Sequence, residues 1–136
     1  MRYLGLDLGT KTLGVAVSDI TGTIATSLTI LRHDNNHEYL IEELKKIISE
    51  KNVETIILGL PKNMNNTIGE RGEMVLSFKE KLEKSINLPV VLEDERLTTR
   101  VAENILITAD VSRKKRKKVI DKMAANIILQ SYLDRR

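Results

Sequence analysis

Apolar positions recur along the chain with two different periods, and each change of period marks an element. Residues 3–8 form a mostly apolar run, and after Gly9-Thr10-Lys11 a second run over 13–18 is rich in small and β-branched residues. Asp19-Ile20-Thr21-Gly22 has the composition of a turn, and 23–31, dense in Thr and Ile, predicts a third strand. Connections this short between three strands predict an antiparallel meander. From 37 to 51 the period lengthens: Leu40, Leu44, Ile47 and Ile48 fall at i, i+4, i+7 and i+8, one face of an amphipathic helix. Residues 54–60 are nearly continuous in apolar side chains, as in a strand buried on both faces.

A second helix is expected over 69–85, with Val75, Phe78 and Leu82 on one side. Val90-Val91-Leu92 then gives a short fifth strand that runs into Glu93-Asp94-Glu95-Arg96. A third helix is expected over 98–107, with Val101 and Ile105 inward, and a last one over 115–133, with Ile120, Met123, Ala124, Ile127 and Ser131 on one stripe. The order β-β-β-α-β-α-β-α-α predicts an α/β fold with one mixed five-stranded sheet flanked by helices. No repeat, low-complexity tract or linker interrupts it, and 136 residues suit a single domain over 1–136.

Composition narrows the function. With 41% hydrophobic and 30% charged residues the chain can fold around one core, and with no Cys it can form neither disulfides nor thiolate metal sites. Neither a signal-peptide pattern nor an apolar run approaching the ~20 residues of a membrane span is visible, so the expectation is a cytoplasmic protein with no membrane partner. The net charge of +3 hides an asymmetry, because Arg113, Lys114, Lys115, Arg116, Lys117 and Lys118 are consecutive and the remainder of the chain is net acidic. Basicity so concentrated suits a polyanion, although a solvated helix start has the same composition.

Three acids stand out. Asp7 interrupts an apolar strand, where a carboxylate is expensive to bury unless paired or metal-bound. Gly5 and Gly9 flank it at i−2 and i+2 on the same face, predicting open space beside it; an Asp that merely ends a strand is the plainer alternative. Glu93, Asp94 and Glu95 repel one another unless a cation compensates, and alternation sends Glu93 and Glu95 to one face and Asp94 to the other. The same acids could open a helix, with Thr98 or Thr99 as cap. Asp121 borders the stripe of the last helix, with Ala124 and Ala125 small enough for close packing; pairing to Lys117 or Lys118 is its plainer role.

Two acids at the ends of neighbouring strands and one on a packed helix could converge. Such an oxygen-only donor set favours a hard ion, Mg²⁺ or Mn²⁺. Two ions held by Asp7, an acid of the 93–95 cluster and Asp121 would serve phosphodiester hydrolysis with water as nucleophile. Lys11, Lys62, Arg71, Arg96 and Arg100 join the basic run as candidate phosphate contacts. His33 and His37, in a polar loop at a helix start, suggest no metal site. With 3% aromatic residues, recognition should rest on backbone and shape more than on base stacking.

Four blocks in order, Gly5-Leu6-Asp7-Leu8-Gly9-Thr10-Lys11, Gly59-Leu60-Pro61-Lys62-Asn63-Met64, Asp94-Glu95-Arg96-Leu97-Thr98-Thr99 and Asp121-Lys122-Met123-Ala124-Ala125, resemble the signature blocks of the YqgF/RuvX family. The resemblance implies an RNase H-like fold related to Holliday junction resolvases and a nuclease maturing the 5′ end of pre-16S rRNA. It places Asp7, Glu95 and Asp121 at the family's acidic positions, with Glu95 preferred to Asp94. Thr12 departs from the Arg common after the Lys, and Asn65-Asn66 from the usual Asp-Gly; neither removes an acid. The expected partner is structured RNA, a pre-rRNA, bound by a monomer or weak homodimer. A DNA junction is the alternative substrate and a catalytically silent binding module the non-enzymatic alternative. Asp7–Thr12 also resembles the first phosphate loop of actin-like sugar kinases, but those need two such domains around a nucleotide cleft.

Overall fold

The computed structural model describes residues 2–62, 65, 67–95 and 112–136; within the last helix, the side chains of Arg113 and of 116–122 lie outside the description. Its elements are β1 (Arg2–Leu8), β2 (Thr12–Ser18), β3 (Ala25–Arg32), α1 (His37–Lys51), β4 (Val53–Leu60), α2 (Glu70–Ser85), β5 (Val90–Asp94) and α3 (Arg113–Arg135). The helix expected over 98–107 and the turn around Met64 fall outside the described residues.

The five strands form one mixed sheet in the order β3-β2-β1-β4-β5. β1–β2 and β2–β3 are antiparallel, as the short turns require, whereas β1–β4 and β4–β5 are parallel because a helix crosses over between each successive pair. The β2–β3 turn is built around Asp19, whose carboxylate accepts the N–H groups of Thr23 and Ile24 and the Thr21 hydroxyl. Those bonds hold its carboxyl well below the usual range. The starts of α1 and α3 are capped by side chains, Asn36 accepting from the Tyr39 N–H and Ser112 from the Lys115 N–H, whereas α2 follows Gly69 without one. That second cap begins α3 two residues before the expected start.

The faces of the sheet differ. One carries Leu4, Leu6, Leu8, Leu13, Val15, Ile56 and Leu58, which pack on Leu40 and Leu44 of α1 and Val75, Phe78 and Leu82 of α2. Nearly all of these are fully buried, each worth about 1.5–3 kcal/mol of transfer energy. The other face carries Gly5, Asp7, Gly14, Ala16, Ile57 and Gly59, and receives α3 through Ala125, Ile128 and Leu129.

Small residues let α3 come close. A Cβ at Gly5 would lie 2.6 Å from Leu129 Cβ and 2.9 Å from the Ala125 carbonyl, so the space expected beside Asp7 at Gly5 is filled by the helix. Polar clamps fix its far half. Gln130 accepts from the Ala25 N–H at 2.8 Å and donates to the Thr23 carbonyl at 2.9 Å. Arg135 pairs with Glu93, and Arg136 donates to the Gly22 carbonyl at 2.8 Å while lying over the Tyr3 ring. Gly22, at φ +70°, leaves room for that guanidinium.

Candidate active site

β1 ends in Asp7-Leu8, and its pairing with β2 and β4 sends Leu8 into the apolar core and Asp7 to the α3 face. Glu95 directly follows β5. These two strands are not neighbours, contrary to the expectation from sequence, because β4 lies between them. The acids meet nonetheless, since Gly59 of β4 presents no side chain between them. A Cβ there would stand 2.9 Å from Glu95 Oε1 and 2.5 Å from Ile128 Cδ1. The Glu95 carboxyl therefore lies across bare backbone and shares a hydrogen bond with Asp7.

That placement changes its chemistry. Burial first, and then the hydrogen bond to Asp7 and the charges of Asp7 and Asp94, push the Glu95 carboxyl up to about 8, with Arg71 opposing the rise. A protonated Glu95 donates to Asp7, where a cation would satisfy both carboxyls. Arg71, on the first turn of α2, brings Nη2 to 3.4 Å from Asp7 Oδ1 and 3.2 Å from the Leu8 carbonyl oxygen.

The three consecutive acids have three settings. Glu93, paired in register with Gly59, is buried and bound by Arg135; Asp94 pairs with Leu60 and faces the other side; Glu95 reaches Asp7. Asp121 belongs to α3, one turn before Ala125, but its side chain lies outside the described residues. Ala125 itself borders Asp7: a Cβ on Gly14 would lie 3.4 Å from Ala125 Cβ and 3.8 Å from Asp7 Cβ. Among the described residues no three metal-ligating side chains come together, and Asp7 with Glu95 is the pair that does.

The basic candidates divide similarly. Lys11 is exposed after β1 and Lys62 half-buried after β4, both beyond the carboxyl ends of strands that point toward the site. Lys114 and Lys115 are exposed on the first turn of α3; Arg113, Arg116, Lys117 and Lys118 share that helix with side chains outside the description, and Arg96 and Arg100 lie outside it altogether.

One residue read from sequence as bland holds the loop next to Asp7. His33 is buried, and its Nδ1 accepts the Asn35 N–H at 3.2 Å, which leaves the hydrogen on Nε2 to donate to the Gly9 carbonyl at 3.1 Å. Its own N–H donates to the Lys11 carbonyl at 2.9 Å. His37 packs edge-on between His33 and Phe78, and its pKa is lowered, by burial first and then by the charges of Lys81 and His33. Neither is part of a metal cluster among the described residues. A lone His ahead of a helix carries no sequence signal for this role.

The family of RuvX, described as Holliday junction resolvase, matches residues 1–135. The chain belongs to the RuvX family. Among relatives in that family, it is 60% identical over 135 residues to a protein of Geobacillus sp. (strain WCH70), with 98% of each chain covered. It is 57% identical over 135 residues to one of Bacillus subtilis (strain 168), again with 98% of each covered. Both relatives bear the name "Putative pre-16S rRNA nuclease". RuvC of T. thermophilus, solved in complex with Holliday junction substrate, is similar with a TM-score of 0.65 at 12% identity, over 96% of this chain and 91% of that one. That likeness shows the fold, which for this RuvX-family chain is the RNase H-like α/β architecture that the family resemblance implies.

Proposed function

We propose that this chain is a metal-dependent endonuclease that hydrolyses phosphodiester bonds in the cytoplasm, its substrate the 5′ end of pre-16S rRNA. The observation that supports it most is the meeting of Asp7 and Glu95 across the bare backbone of Gly59. The relatives' shared name and the family's description point to nucleic-acid cleavage as well.

The donor set fits a hard divalent cation. It consists of carboxylate oxygens, and the two described carboxyls lie so close that one keeps a proton to relieve the other. Mg²⁺ or Mn²⁺, held as a pair by Asp7, Glu95 and Asp121, would supply Lewis acidity toward the phosphate and an activated water. Asp7 is held in place by Arg71 and by its own strand. Glu95 would release its proton to hold a cation there. Arg71, half-exposed beside Asp7, is placed to neutralise a phosphate at the same point. The basic start of α3 holds the nucleic-acid backbone.

The family's description favours a second reading, cleavage of a four-way DNA junction, which would need a two-fold dimer to cut symmetrically. Wild type and Asp7→Asn are incubated with a pre-16S 5′ leader RNA and with a DNA four-way junction, in Mg²⁺ or Mn²⁺. Cleavage of the RNA by wild type alone is the expected result. Symmetric nicking of the junction with intact RNA would transfer the reading to a resolvase, and binding without cleavage would reduce the chain to a binding module.

A further inference from the structure

A row of residues in register leads away from Asp7 across the α3 face of the sheet. Asp7 pairs with Gly14 on β2, and Gly14 pairs with Ile30 on β3, so the three share one side. The row reads as a carboxylate, then a glycine floor that Ala125 of α3 closely approaches, then a large apolar side chain. β3 is an edge strand, and Ile30 on it is 51% exposed. Above this floor lies a cavity of about 220 Å³, lined by Asp7, Thr12, Gly14, Ser27, Ile30 and Ala125 among others. Among the described residues, Asp7 is the one charged group in its lining. Ser27 Oγ accepts from Asn126 Nδ2 at 3.4 Å, which leaves the serine hydrogen free to donate.

We infer that this groove seats the nucleoside flanking the scissile phosphate, with the ribose toward Asp7 and the base against Ile30; the inference rests on reading Asp7 and Glu95 as a phosphodiester-cleaving centre. A phosphate at Asp7 carries a nucleoside on each side, and this groove opens directly onto the carboxylate. Its described lining of glycine, alanine, hydroxyl and aliphatic side chains suits a sugar and a base. An exposed isoleucine on a sheet offers a flat apolar surface that water covers at a cost and a base face covers well. Only a nucleotide free of its pairing partner can lie down there, so the substrate class is a strand unpaired at the cut, such as a single-stranded leader, in preference to continuous duplex.

The test uses the full chain and labelled single-stranded RNA, with Ca²⁺ so that binding is read without turnover. Ile30→Thr is expected to weaken binding about fivefold, with an unchanged dependence on salt, because no charge is removed. Ile30→Val should restore most of the loss. Gly14→Ala, whose new Cβ meets Ala125 in ordinary contact, should weaken binding by narrowing the floor. A single abasic site stepped through the RNA should cost wild type a similar factor at one position, and cost Ile30→Thr nothing more at that position. Losses that simply add, or Ile30→Thr binding as wild type does, would overturn the groove and leave the nuclease reading standing. A wild type that binds no RNA would overturn both.

Discussion

The two faces of the sheet are made from the same strands and do opposite work. Along β1, Leu4, Leu6 and Leu8 point to α1 and α2, while Gly5 and Asp7 point to α3. On β2, Leu13 and Val15 face one way and Gly14 and Ala16 the other; on β4, Ile56 and Leu58 oppose Ile57 and Gly59. One face spends its side chains on filling space, and its helices stand off by the length of a leucine. The other gives up volume at Gly5, Gly14 and Gly59, so that a helix descends on one part of it and carboxylates spread over another. A site for charged chemistry can sit on this sheet because the opposite face supplies enough apolar burial to hold the strands in register.

The sharpest way to break this division is Asp7→Asn. It should leave the fold intact and lower metal-dependent RNA cleavage by at least about a thousandfold, the scale of several kcal/mol of lost transition-state stabilisation. Retained cleavage in a folded variant would remove the α3 face from the chemistry. The mirror experiment is Leu58→Ala on the apolar face, a fully buried side chain. Denaturant unfolding should show a loss of about 2–5 kcal/mol, while the protein that stays folded cleaves at a near-normal rate.

A smaller effect links the faces through pH. Glu95 titrates near 8 in the fold against an ordinary 4.5, so the folded state holds a proton that the unfolded chain releases. Stability from this group is therefore complete below about 4.5 and is lost as pH climbs to about 8, by an amount on the order of a few kcal/mol. Thermal melts of the metal-free protein should fall across that window, and Glu95→Gln should flatten the fall. An unchanged slope in the variant would separate Glu95 from Asp7. Arg71→Ala should have the smallest effect, since its pair with Asp7 is half-exposed and long at 3.4 Å. Removing that positive charge should tighten Mn²⁺ binding about two- to threefold by titration while weakening RNA binding; looser Mn²⁺ binding would contradict the arrangement.

Much of this was legible in the residues. The strands announce themselves by alternation and the helices by the longer period, because each pattern records which side of an element meets the core. The short turns fixed the meander, but the glycines flanking Asp7 did not reveal that a helix rather than open space lies over Gly5. The sheet order was less accessible. Nothing near Glu95 encodes that β4 stands between β5 and β1, so its partnership with Asp7 depends on Gly59, which in sequence belongs only to a strand end. Alternation separated Asp94 from Glu95 without saying which side would face α3. His33 was illegible for a similar reason, since its hydrogen bond to Gly9 spans a contact that exists only after β2 and β3 have paired.

The chain's last two residues, Arg135 and Arg136, hold the end of α3 to Glu93, to the Gly22 carbonyl and to the Tyr3 ring. Glu93 is two positions from Glu95, so a chain without the Arg135 guanidinium leaves a buried carboxylate without its counter-charge close to the Asp7–Glu95 pair.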